Sequence, residues 1–179
     1  MSKKIEALKE VLKSNPKNSN VWVQIGYFYF QEHEYEDAIE AYKKAIELNP
    51  NEAINWHNLG YIYYEIEDYN NAIDALKQAL DLNPNLAISW SELSSIYIDL
   101  RNFDEAIIAC KNALKFNPKD ASAWTNLGSA YYNKNLYEKA IEALSKALKI
   151  MPNLDFAQEV LELARKAKNK DSKKIIKKF

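Results

Sequence analysis

The chain has 179 residues and is close to neutral, with 24 basic and 25 acidic side chains. Three glycines, five prolines and one cysteine leave an all-β fold short of turn residues and rule out an intrachain disulfide. No run approaches the roughly 18 consecutive apolar residues of a membrane span, and the opening Met-Ser-Lys-Lys lacks the apolar core of a secretory signal, so a cytoplasmic setting is expected.

Residues 1–18 read as one amphipathic helix ended by Pro16, with Leu8 and Val11 in core positions. Four units of one period follow: 19–52, 53–86, 87–120 and 121–154. Pro16, Pro50, Pro84, Pro118 and Pro152 are each 34 residues apart, as are Trp22, Trp56, Trp90 and Trp124. Gly26, Gly60 and Gly128 keep the same grid, and Ser94 fills the vacant slot. Further columns hold Ile25, Leu59, Leu93 and Leu127, then Tyr29, Tyr63, Tyr97 and Tyr131. Others hold Tyr35, Tyr69, Phe103 and Tyr137, and two carry alanine throughout (Ala38 to Ala140, Ala45 to Ala147). Rare residue types repeating on one grid mark a solenoid of identical supersecondary units.

Each unit predicts two helices, A and B; in the second they run over about 54–65 and 69–82. Trp56, Leu59 and Tyr63 share one face of helix A, and Ala72, Leu76 and Ala79 one face of helix B. Gly60 and Ala72 allow the two to approach closely. Asp68 and Asn102 are placed to cap helix B, whereas Leu136 is not. Acidic pairs such as Glu36-Asp37 and Asp104-Glu105 suit the first turn of helix B and its dipole. Asn49-Pro50, Asn83-Pro84 and Asn117-Pro118 end helix B, because proline disfavours helix in the residue before it; Met151 replaces Asn in the last unit. Residues 155–179 begin as a fifth helix A, in which Leu161 keeps the apolar column while Gln158 and Glu162 replace Trp and Gly. That gives a polar terminal cap, followed by a basic tail, Lys173 to Phe179.

The pattern Trp-x2-Leu-Gly-x2-Tyr, followed by Ala, Ala and Pro at fixed offsets, resembles the tetratricopeptide repeat and covers residues 19–152. The period differs from that of the RNA-reading pentatricopeptide family. The resemblance implies an all-α, right-handed α-solenoid whose A helices line a concave face that binds a protein or peptide. Carried over, the first unit presents Val23, Gln24, Tyr27, Phe30 and Gln31, and the second His57, Asn58, Tyr61, Tyr64 and Glu65. The third presents Ser91, Glu92, Ser95, Ile98 and Asp99, and the fourth Thr125, Asn126, Ser129, Tyr132 and Asn133. None of these is Lys or Arg, which argues against the carboxylate clamp of some relatives. The asparagine ladder of others is half present, reading Gln24, Asn58, Glu92, Asn126. An aromatic, mildly acidic groove favours a neutral or basic ligand over an acidic one.

Catalytic chemistry finds no foothold. His33 and His57 lack a second ligand at metal spacing, Cys110 occupies a core column, and no glycine-rich phosphate loop exists. Neither an enzyme, a cofactor nor a metal is expected. Net charge runs from +3 in residues 1–18 through −5, −4, −1 and +2 in the four units to +4 after residue 154. That polarity leaves self-association through the end helices, giving a homo-oligomer, as the alternative role. The basic tail reads as a solubilising helix end rather than a membrane or nucleic-acid contact.

Overall fold

The computed structural model describes residues 3–176, with side chains through residue 170. The basic stretch from Lys173 to Phe179 lies outside the residues whose side chains are described. Among the described residues the chain forms ten α-helices and no strand. They are α1 (Lys3–Ser14), α2 (Ser19–Gln31), α3 (Tyr35–Leu48), α4 (Ala53–Glu65), α5 (Tyr69–Leu82), α6 (Ala87–Asp99), α7 (Phe103–Phe116), α8 (Ala121–Asn133), α9 (Tyr137–Ile150) and α10 (Asp155–Ile176). The chain divides into two compact units, Met1–Asn85 with α1 to α5 and Leu86–Phe179 with α6 to α10.

In both units each A helix packs on its own B helix, and B packs on the next A. The core of the first unit joins Ile5 and Leu12 to Ile25, Tyr29, Tyr42, Leu59 and Ile62. In the second unit one cluster centres on Cys110, Leu114 and Leu127, and another on Leu144, Val160 and Leu161. Gly60 stands so close to α5 that an added Cβ would lie 2.8 Å from Leu76 Cγ. Leu144 crowds Gly128 still more closely.

The turn from A to B has one geometry four times over. His33, Glu67, Arg101 and Asn135 all have φ between 58° and 60°. In each case the following amide donates five residues back, as in Asp68 N to Tyr63 O at 2.9 Å, and the residue itself donates three back, as in Glu67 N to Tyr64 O at 2.9 Å. This is a Schellman ending built without glycine. A left-handed residue with a Cβ costs about 1–2 kcal/mol, and Asn bears it better than Glu. Glu67→Gly is therefore expected to raise stability by about 1 kcal/mol, and Asn135→Gly by less, read from urea-unfolding midpoints.

The caps partly follow the sequence. Asp68 accepts from Asn71 N at 3.3 Å as expected, but Asn102 makes no side-chain cap bond. Their backbones match, φ −80° and ψ 70° against φ −87° and ψ 71°. Residue type is not the reason, since Asn18 caps α2 by accepting from Val21 N at 3.3 Å. Leu136 makes none, as its side chain requires. At the other end, Met151 (φ −133°, ψ 95°) matches Asn83 (φ −139°, ψ 90°), so the proline rather than the Asn ends helix B. What Asn83 adds is an Asx turn, accepting from Asn85 N at 3.1 Å.

The ends differ from the interior. Val11 was expected in the core but is 45% exposed, while Ile5 and Leu12 are buried. Helix α1 packs chiefly on α2 among the described residues, so the face turned to that neighbour is the one covered. In α10, Ala157, Val160, Leu161 and Ala164 are buried. Gln158, Glu162 and Arg165 are exposed where earlier units carry Trp, Gly or Ser, and Tyr. The indole N–H of Trp22, Trp56 and Trp124 donates to the carbonyl of Pro16, Pro50 and Pro118 at 3.4, 3.1 and 3.0 Å. Gln158 keeps that bond without the ring, its amide donating to Pro152 O at 2.8 Å.

Candidate functional site

In the first unit the A-helix faces of α2 and α4 carry a run of rings. Tyr27 is 51% exposed, and Phe30, Tyr61 and Tyr64 are half-buried. Phe30 meets Tyr61 edge-on at 5.5 Å between ring centres, across two repeats, and Tyr35 at 5.9 Å. Tyr64 lies 6.1 Å from Tyr69. These contacts hold the rings in place and leave part of each facing water. Gln24, Gln31 and Glu65 are exposed, and Val23 and Asn58 are half-buried. Asn58 is hydrogen-bonded to the Tyr42 hydroxyl. Burial, and next the neighbouring Tyr27, push that hydroxyl up to about 12, the bond from Asn58 opposing them.

In the second unit the faces of α6 and α8 are polar rather than aromatic. Glu92, Ser95, Ile98, Asn126 and Tyr132 are half-buried, and Asp99 and Asn133 are exposed. Asn126 spends both amide hydrogens inside the fold, donating to Ser94 Oγ at 2.9 Å and Ser95 Oγ at 3.0 Å. Its carbonyl oxygen is the group left to offer a ligand. Asn133 donates to Ser129 O at 2.9 Å. Tyr132 lies 6.0 Å from Tyr137.

Four of the expected positions are packing groups. His57 and Ser129 are each 5% exposed, and Ser91 and Thr125 are also buried. Burial holds the His57 imidazole down at about 4, so the ring is neutral at physiological pH. Cys110 is fully buried, as its column implies, and burial pushes its thiol up to about 12 despite a hydrogen bond with Ser94. A thiol held protonated is not a nucleophile.

Two open clefts, of about 490 and 400 Å³, share Ser95 and Ser122 in the second unit. They add residues that the sequence reading passed over: Ile88, Met151 and Phe156, all large, apolar and exposed, Phe156 at 54%. A signal existed. The second residue of each A helix reads Asn20, Ile54, Ile88, Ser122 and Phe156, and three of these five are apolar on a solvent-facing column.

Helix pairs of one period, with A-helix faces left open beside the packed columns, define a tetratricopeptide-repeat protein. The chain belongs to this family: residues 2–175 match the family model of the Cilia and flagella-associated protein 70 C-terminal domain. A crystal structure of MamA is 32% identical with a TM-score of 0.76, over 82% of this chain and 85% of that one. The MamA segment 41-end from Desulfovibrio magneticus RS-1 is 21% identical with a TM-score of 0.71, over 85% and 92%. The Arabidopsis OM64 TPR domain is 22% identical with a TM-score of 0.63, over 65% and 98%. The last two likenesses show the fold alone. No curated protein gives a significant match. Membership places the chain among protein–protein interaction scaffolds in general terms, and no helix among the described residues is long and apolar enough to cross a membrane.

Proposed function

We propose that this protein binds a neutral or basic segment of a partner protein along its A-helix faces and catalyses no reaction. The carrying observation is the set of half-open rings on α2 and α4: Tyr27, Phe30, Tyr61 and Tyr64. Rings fixed by their neighbours lose little freedom on binding and supply large contact areas, which is why Tyr dominates binding hot spots. Glu65, Glu92 and Asp99 set the charge preference, and no Lys or Arg stands among the face positions to receive an acidic tail.

The test begins with affinity capture on the wild-type chain, mass spectrometry of what is retained, and calorimetry with the identified segment. Tyr61→Ala combined with Tyr64→Ala is expected to weaken binding by about a hundredfold or more. Far-UV circular dichroism should stay at the wild-type value, because both rings lie on the open side of α4. Undiminished binding by the double variant would remove these faces from consideration.

A further inference from the structure

The B-helix side of the first unit holds a second feature that the A-helix faces do not explain. A cleft of about 400 Å³ opens between α3, α4 and α5, floored by Trp56 and Tyr63 and rimmed by Lys43, Asp74 and Gln78. The Trp56 ring is fixed by its N–H bond to Pro50 O at 3.1 Å. The chain repeats itself, so the same three grid positions can be compared two repeats later. There the ammonium of Lys146 lies 4.5 Å from the ring centre of Trp124 and pairs with Glu142 at 2.7 Å. Indole, cation and carboxylate complete one another, the cation held by the ring quadrupole and by the carboxylate together.

At the earlier position Trp56 keeps the indole and Asp74 keeps the carboxylate, but the lysine has become the neutral Gln78. Asp74 is exposed and has no ion pair among the described residues. The other charges at the cleft already have partners, Lys43 on the Tyr63 ring of the cleft floor and Glu47 on a neighbouring lysine. Lys43 sits 5.8 Å from the centre of the Tyr63 ring, and Glu47 is paired with Lys44 at 2.8 Å. A ring and an acid at the same grid positions, with Gln78 where the later repeat has its lysine and open space above them, are complementary to a cation supplied from outside.

We propose that the Trp56 cleft is an acceptor for a basic side chain of a partner protein, arginine above all, whose guanidinium covers the indole and reaches the Asp74 carboxylate. Arginine suits it because its plane stacks on a ring while its edge bonds a carboxylate. The cleft stands apart from the A-helix faces, so the two readings succeed or fail separately.

The test uses the full chain labelled with nitrogen-15, reading the indole N–H resonances, with Trp56 assigned through Trp56→Phe. The probes are a glycine-arginine repeat peptide and its glycine-glutamate counterpart at low salt. The Trp56 signal is expected to shift saturably with the first peptide and to stay put with the second. Asp74→Asn should weaken the arginine peptide by about fivefold. Gln78→Lys supplies the chain's own ammonium, as at Trp124, and should weaken it by at least about tenfold while the protein stays folded. An equal response in wild type and Gln78→Lys, an equal response to both peptides, or no saturable shift would each overturn the proposal. The Tyr61→Ala, Tyr64→Ala double variant should keep the Trp56 response whatever becomes of the A-helix faces.

Discussion

Gly128→Ser is expected to destabilise the protein by about 2 kcal/mol or more, and Leu144→Cys, itself destabilising, to recover part of that loss when the two are combined. The glycine column is a close approach between helix A and helix B of one repeat. A Cβ at Gly26 would lie 2.8 Å from the Tyr42 ring, and one at Gly60 the same distance from Leu76. At Gly128 it would run into Leu144. The third repeat solves the same contact differently. Ser94 brings a Cβ and a hydroxyl, and its partner is Cys110, smaller than the Tyr or Leu elsewhere in that column. Both are fully buried, and Ser94 Oγ finds an acceptor in Ser91 O at 2.7 Å. Volume added on one helix is therefore matched by volume removed from the other. Residues in such contact couple by about 0.5–3 kcal/mol. A double-mutant cycle by urea unfolding should show that coupling, with Cys110→Leu relieved by Ser94→Gly as the reverse exchange. Strict additivity in both cycles would dismiss the pairing.

Stability is expected to fall as pH drops from about 6.5 towards 4, and His57→Val to abolish much of that fall. Burial lowers the folded-state pKa of His57 to about 4, against 6.5 for the free side chain. Between those values the unfolded chain binds a proton that the folded chain refuses. The stabilising contribution is thus complete above about 6.5 and is lost as pH falls to about 4. A gap of that size is on the order of 3 kcal/mol. Valine is the natural replacement, since Val23 occupies the same grid position in the first repeat. Urea unfolding at pH 5 and pH 7.5 measures it. The variant should gain on the wild type at the lower pH, and an equal pH dependence in both chains would show that another group is responsible.

The period, the helix pairs and the polar C-terminal cap were legible because Pro, Trp and Gly are each used once per repeat for a steric reason. Nothing in Glu67 or Arg101 announces a left-handed turn, since the family of conformations is set by the Schellman hydrogen bonds and the side chains merely endure it. Ser94 and Cys110 are each visible as departures from their columns, but their mutual compensation requires knowing that the columns touch. Asn102 failed as a cap although its spacing matches that of Asp68, because spacing does not orient a side chain. On the candidate faces, Tyr27, Phe30, Tyr61 and Tyr64 were readable from the grid. His57 and Ser129 were not distinguishable from them, since spacing along a helix does not say how deeply a side chain is packed. The column companions of His57, namely Val23, Ser91 and Thr125, are short, and that is the hint the sequence did contain for that position.

The hydrogen bond from Gln158 to Pro152 separates two jobs that tryptophan performs at once in the preceding repeats. Bracing the interhelical corner needs only an N–H, whereas welcoming a following helix B uses the ring, a small residue (Gly or Ser) and the tyrosine. Gln158, Glu162 and Arg165 preserve the first job and refuse the second. Restoring Trp, Gly and Tyr there would be the minimum edit for grafting further hairpins onto this array.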